Sequence, residues 1–269
     1  MRLPGIGIGT VFNKFRGGGA VYTPRVQAFL SATGITDPTT RTAIVNLDAS
    51  LEANTSLNNS IISFHPAVGG LSTTNKYNFM DTALYELTFG GGVTHNSNGF
   101  TFNGTNGYAE ASGLNLNTLS ISEGGTAYYA GTYTDNGGCA YGIRNGSTLF
   151  QCFPNLSALN RTYFYVLDAT DSFASNSDQS GFFGFHREGG TKYRNIRGTT
   201  GSASVAAITP APNGNFNWGC VNFVGEGRFN YSNLPFKGGA VFNDNITAAL
   251  VENFRTILNQ FQTDLGRAN

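Results

Sequence analysis

The sequence predicts a mainly β protein, a sandwich or barrel of short strands flanked by helices. Three observations predict it. Glycine (36) and asparagine (30) stand where charged residues usually do, the latter being 12 % of the 269 residues against about 25 % in an ordinary globular chain. Asn-Gly, whose two residues both tolerate a positive φ and so favour tight hairpins, occurs six times between Asn98 and Gly214. Between these turns lie apolar runs of strand length, Leu84–Phe89, Thr126–Tyr133, Thr162–Leu167, Phe182–His186 and Trp218–Val224. No repeat of 20–50 residues is evident, which argues against a propeller or solenoid.

The elements follow in order. Residues 1–22 read as an irregular, hinged arm, with Gly5, Gly7 and Gly9 followed by Gly17-Gly18-Gly19. Thr23-Pro24 and Asp37-Pro38 each pair an N-capping oxygen with proline in the first turn. Residues 23–64 are therefore predicted to hold two short helices, with Ile61 and Ile62 extending the second apolar face. From His65 to Phe242 the turn-and-strand pattern predicts the sandwich. Residues 243–269 carry the clearest helix: Ile246, Leu250, Phe254, Ile257 or Leu258, Phe261 and Leu265 recur every three or four positions. Asn243, Asp244 or Asn245 is expected to cap it and Gly266 to end it. Its apolar stripe needs a partner, either the sheet of the same chain or a neighbouring subunit.

The charge balance excludes several classes. Formal net charge is zero, so nothing supports a general nucleic-acid partner. Arg2, Lys14, Arg16 and Arg25 precede the first acid, Asp37, which leaves the start of the chain basic. Ile6, Ile8, Val11, Phe12 and Phe15 are interspersed there, and such residues are costly to leave in water. Arg2, Ile6, Ile8, Phe12, Lys14, Phe15 and Arg16 are thus the candidate assembly residues. No stretch approaches the ~18 apolar residues of a membrane span, and no signal peptide is recognisable. Cys139, Cys152 and Cys220 have no metal-binding spacing and are expected to be free buried thiols, as synthesis in a reducing bacterial cytoplasm allows.

Two resemblances sharpen this reading. Phe102-Asn-Gly-Thr-Asn-Gly-Tyr108-Ala-Glu110 resembles the segment that opens laminin-G-like and concanavalin A-like jelly rolls, where an aromatic-Asn-Gly turn precedes a tyrosine-bearing strand. Further, the order Gln27 to Asp37, Phe64-His-Pro-Ala-Val-Gly-Gly70, Lys76-Tyr-Asn-Phe79 and Gly91-Gly-Val-Thr-His95 is similar to bacteriophage structural proteins that carry this jelly roll. Val93 replaces the aromatic residue usual in that pattern. The resemblance runs from about residue 22 to the end. It implies a concanavalin A-like jelly-roll β-sandwich in a virion component, such as a head-fibre, decoration or tail-associated protein.

Catalytic chemistry finds little support. Jelly-roll glycosidases place paired carboxylates on one strand face, in a Glu-x-Asp-x-x-Glu pattern that this chain lacks. Asp168 and Asp171, three apart, would point to opposite faces of a strand, and Glu86 and Glu110 stand alone. His65, His95 and His186 are dispersed and read as structural. Neither a cofactor nor a metal is expected. Sugar binding by stacking is the alternative function, with Trp218, Tyr133 and Asp135 as the candidate glycan residues, although a lone tryptophan is more often core. Arg187, Lys192, Arg194 and Arg197 read as a solvated basic face or a contact to another subunit.

The expectation is a non-enzymatic virion module, anchored to other virion proteins by its arm. It is expected to be a homo-oligomer, a trimer by analogy with fibre proteins, and a host surface glycan is the alternative ligand.

Overall fold

The computed structural model describes residues 22–268 except 120–122, 135–136, 147, 157–160, 169–171, 176–179 and 205–210. The candidate assembly residues Arg2 to Arg16 and the glycan candidate Asp135 lie outside the described residues. The chain is mainly β, with two sheets face to face and helices stacked on one of them.

Three helices open the described chain: α1 (Pro24–Thr33), α2 (Pro38–Glu52) and α3 (Thr55–Ser60). The two capping signals act as read. Thr23 Oγ1 accepts from Val26 N and Asp37 Oδ2 from Thr40 N. Gly34, at φ 64°, ends α1 in the left-handed conformation. Arg25 ties the three together, with Nε 2.5 Å from Asp48 Oδ1, Nη2 2.7 Å from Glu52 Oε1 and Nη1 2.7 Å from Asn58 Oδ1.

Ile61 and Ile62 do not extend a helix. They begin β1 (Ile61–His65), which pairs with the second half of β17 (Pro235–Phe242). The β-branched pair suits a pleated surface better than a helix, and the open edge of β17 supplies its partner. A single-turn helix, α4 (Ser72–Asn75), follows.

The first sheet has the order β13 (Thr199–Ser204), β12 (Thr191–Ile196), β11 (Gly181–Glu188), β6 (Gly125–Ala130), β17, β4 (Gly99–Phe102), β3 (Val93–Asn96), with β1 also on β17. The second runs β10 (Ser172–Ser175), β9 (Arg161–Asp168), β8 (Thr148–Leu156), β7 (Tyr141–Asn145), β14 (Asn215–Trp218), β5 (Tyr108–Asn115), β2 (Leu87–Gly90). The predicted run Trp218–Val224 is broken at Gly219, φ 80°. Beyond it β15 (Val221–Phe223) pairs parallel to β7 and folds back as β16 (Gly227–Phe229). The other strand pairs are antiparallel. At the predicted 102–108 turn, Asn103 Oδ1 accepts from the amides of Thr105, Asn106 and Gly107, an Asx-type closure of the backbone.

Strand alternation divides the apolar residues between two cores. Tyr128, Phe183, Phe185 and Phe236 of the first sheet meet Tyr141, Phe150, Phe164, Phe216 and Trp218 of the second. Their neighbours Ala127, Tyr129, Phe182, Ala240 and Phe242 face the other way, towards α1, α2, α3 and α5 (Ala248–Asp264). The C-terminal stripe therefore packs on its own sheet: Phe254 lies edge-on to Phe64 and Phe242, with centroids 5.5 and 5.3 Å apart. Gly184 permits this approach, since a Cβ there would lie 2.7 Å from Val251 Cγ1. The cap is Thr247, whose Oγ1 accepts from Leu250 N. Asp244 instead accepts from the amides of Glu123 and Gly124. Gly266, φ 67°, follows the helix end as read.

Candidate functional site

The helical layer covers the first sheet, and among the described residues no helix lies on the outer face of the second. That face is built by alternation. On β9, Phe164 and Val166 enter the sandwich core, so Arg161, Tyr163 and Tyr165 face outward. A cross-strand row runs over six strands through Thr88, Glu110, Asn217, Gly142, Gln151 and Tyr165.

The middle of this row is satisfied internally. Glu110 is ion-paired with Arg228, whose guanidinium carbon sits 3.9 Å from the Tyr108 ring centroid. Arg228 Nε donates to Asn217 Oδ1 at 3.0 Å, and Asn215 Nδ2 to Glu110 Oε1 at 2.9 Å. A Cβ on Gly142 would lie 3.1 Å from Val221 Cγ2, so β15 crosses the face closely there. This network holds the β15–β16 hairpin in place and commits both Glu110 oxygens, one to Arg228 and one to Asn215.

The other end of the face differs. Register aligns Phe153, Tyr163 and Phe173 across β8, β9 and β10. The rings of Tyr163 and Phe173 are 5.8 Å apart and inclined by 37°. Phe173 is 49 % exposed. The Arg161 guanidinium carbon lies 4.3 Å from its centroid. Among the described residues that guanidinium makes no hydrogen bond and pairs with no carboxylate. Ser175 is its cross-strand neighbour. Ring faces beside an unpaired planar cation can stack on an apolar ring surface and hold an anionic group together.

The sequence-based candidates fall elsewhere. Trp218 is fully buried in the sandwich core between Phe216 and Phe236, which removes it as a glycan contact. Its place on β14 points the indole inward, opposite to Asn217. Tyr133 is partly buried against the same core, so neither described glycan candidate forms an exposed ring platform. Half of the supposed solvated basic run is also interior. Arg187 and Lys192 are cross-strand partners and both buried, Lys192 Nζ 2.9 Å from Asp168 Oδ2 and Arg187 Nη1 donating to Leu167 O. Arg197 is exposed and Arg194 half-buried. Arg197 borders clefts of about 300 and 450 Å³, and Arg194 borders the latter and one of about 280 Å³.

The titratable interior groups are quiet. Burial lowers His65 and His186 to about 4, and His65 Nε2 bonds to Tyr85 O at 2.9 Å. Burial pushes the Cys220 thiol up to about 12 and Cys139 well above its usual range. All three cysteines are free and buried, which keeps them as unreactive thiols. Sequence reasoning missed Arg161, Tyr163 and Phe173. The alternation of β9 carried a signal, but not which face is covered.

No known protein family matches the sequence, and no curated protein does. Among solved structures the chain is similar to domain 4 of AbnA, a GH43 extracellular arabinanase from Geobacillus stearothermophilus solved in complex with arabinotriose. That likeness has a TM-score of 0.50 at 9 % identity, covering 71 % of this chain and 96 % of that domain. A mutant Trypanosoma rangeli sialidase displaying trans-sialidase activity aligns with TM-score 0.48 and 10 % identity, over 83 % of this chain and 39 % of the sialidase. At 9 % identity the likeness to the AbnA domain is one of fold alone, a two-sheet β-sandwich.

Proposed function

We propose that the chain is a non-enzymatic structural module of a bacteriophage virion, a concanavalin A-like jelly roll anchored by residues 1–22 and displaying its second sheet. The observation that carries this reading is the two-sidedness of the fold. Tyr22, where the arm joins the described chain, packs into the helical layer, its hydroxyl accepting from Arg41 Nη2 at 3.0 Å. Tyr22, the residue that follows the arm, thus lies on the helix-covered side, and the open sheet lies on the far side of the sandwich. The basic, apolar arm fits a partner among other virion proteins of the head or tail. The carboxylates nearest to a catalytic setting are committed to cations: Asp168 to Lys192 and Glu110 to Arg228. Phage-produced particles carrying a chain without residues 2–20 test the proposal. The sandwich stays folded and the truncated chain is absent from purified particles; normal incorporation overturns the anchoring role.

A second reading is glycan binding by the displayed sheet. It is favoured by the exposed Phe173 ring beside Tyr163 on that face, and the arabinotriose complex of the AbnA domain lends it plausibility by analogy of fold. A glycan array probed with the purified chain tests it.

A further inference from the structure

We propose that Arg161, Tyr163 and Phe173 form a binding site for a carboxylated sugar. The proposal rests on the glycan-binding reading and gives it a place and a substrate class.

A guanidinium on a protein surface is usually either paired with a carboxylate or spread into solvent. Here that of Arg161 lies over a phenyl ring, its carbon 4.3 Å from the Phe173 centroid, and among the described residues no acid answers it. A guanidinium over a ring face satisfies none of its N–H groups there, so they stay available to take a carboxylate through two parallel hydrogen bonds. Tyr163 continues the platform, 5.8 Å from Phe173, with Phe153 one strand further. A sugar whose carboxylate meets Arg161 lays its C–H face on the Tyr163 ring. The hydroxyl of Ser175, exposed on the strand beside Arg161, is within the same patch for the ring hydroxyls.

A neutral sugar would leave the cation unanswered. An acidic peptide would satisfy Arg161, but gains less from neighbouring aromatic rings, whose faces match the C–H side of a pyranose.

The test is an array carrying uronate- and sialate-bearing glycans beside their uncharged counterparts, with poly-glutamate as a peptide control. It is read with the native chain, Arg161→Ala, Arg161→Lys and Tyr163→Ala, each first shown to melt like the native chain. Carboxylated glycans are retained by the native chain. Arg161→Ala weakens them at least tenfold, Arg161→Lys recovers only part of the loss, and Tyr163→Ala weakens them without changing the preference for acid. Retention of neutral glycans alone overturns this site and leaves the glycan-binding reading standing. No retained glycan overturns both. Retention of poly-glutamate with equal strength makes the site a peptide contact and overturns the sugar assignment.

Discussion

Arg267 donates a hydrogen bond to the carbonyl of Ala67 at 2.8 Å, joining the end of the chain to the turn after β1. The same guanidinium donates to Pro66 O at 3.1 Å, to Lys237 O at 3.0 Å and to Gln262 Oε1 at 2.9 Å. Arg267 is only 5 % exposed, and burial lowers it to about 9. Carbonyl dipoles therefore hold a desolvated cation and fasten α5 across the first sheet. Arg267→Met leaves at least three buried carbonyls without this donor, at about 1–3 kcal/mol for each group that finds no other. We expect a loss of about 3 kcal/mol or more in chemical denaturation. A variant as stable as the native chain would mean that the C-terminal clamp is ornamental.

Phe254 sits where three strands present aromatic rings, Phe64, Phe242 and Phe182. Phe254→Ala is expected to cost roughly 3–5 kcal/mol through lost burial and the cavity it leaves. Because the helix packs within its own chain, light scattering should give the same mass for variant and native protein. A change of mass without a change of melting point would assign the stripe to a neighbouring subunit.

Gly184 tests the same contact from the sheet side. A Cβ there would come within 2.7 Å of Val251 Cγ1 and 2.9 Å of the Phe182 ring. Gly184→Ala should therefore lower stability by about 1–3 kcal/mol. Pairing it with Val251→Ala should return part of that loss, a coupling read from a double-mutant cycle.

Acid should weaken the fold. Burial lowers His65 and His186 to about 4 from the usual 6.5. Glu188, 3.8 Å from His186 and half-exposed, is too distant and too solvated to offset that. The unfolded chain then binds more protons between pH 6.5 and 4. Stability is complete above about 6.5 and falls as pH drops towards 4, by on the order of 3 kcal/mol per histidine. Denaturant midpoints at pH 7.5 and 4.5 measure the slope, and His65→Gln should flatten it. An unchanged slope in that variant contradicts the assignment to His65.

Trp218 is the chain's single tryptophan, so fluorescence reports on it alone. Its burial predicts blue-shifted emission, weak quenching by acrylamide and no response to added glycan. A red-shifted, readily quenched indole would put it back on the surface.

Much of the architecture was legible in the sequence, for identifiable reasons. The heptad-like stripe from Ile246 to Phe261 and the caps at Thr23 and Asp37 are local signals, and the fold kept them. The Asn103 turn is equally local. Ile61-Ile62 gives no local sign of a strand because its partner, β17, lies some 180 residues away. Nothing local in Trp218–Val224 reveals that Gly219 turns the chain between two pairings. The basic run is opaque for a similar reason. Lys192 is interior only because Asp168, on the opposite sheet, meets it. The face carrying Arg161, Tyr163 and Phe173 could not be chosen from alternation alone, since which sheet the helices cover is a tertiary outcome.

The central claim, that the helical side meets the particle and the second sheet is displayed, can be measured by thiol labelling. The native cysteines are buried, so a maleimide reports on an introduced one. Ser175→Cys places a thiol on the open sheet and Asn253→Cys one on the exposed side of α5. In the free chain both should label. In assembled particles the account predicts that position 175 still labels and position 253 is shielded; shielding of 175 with free access to 253 would contradict it.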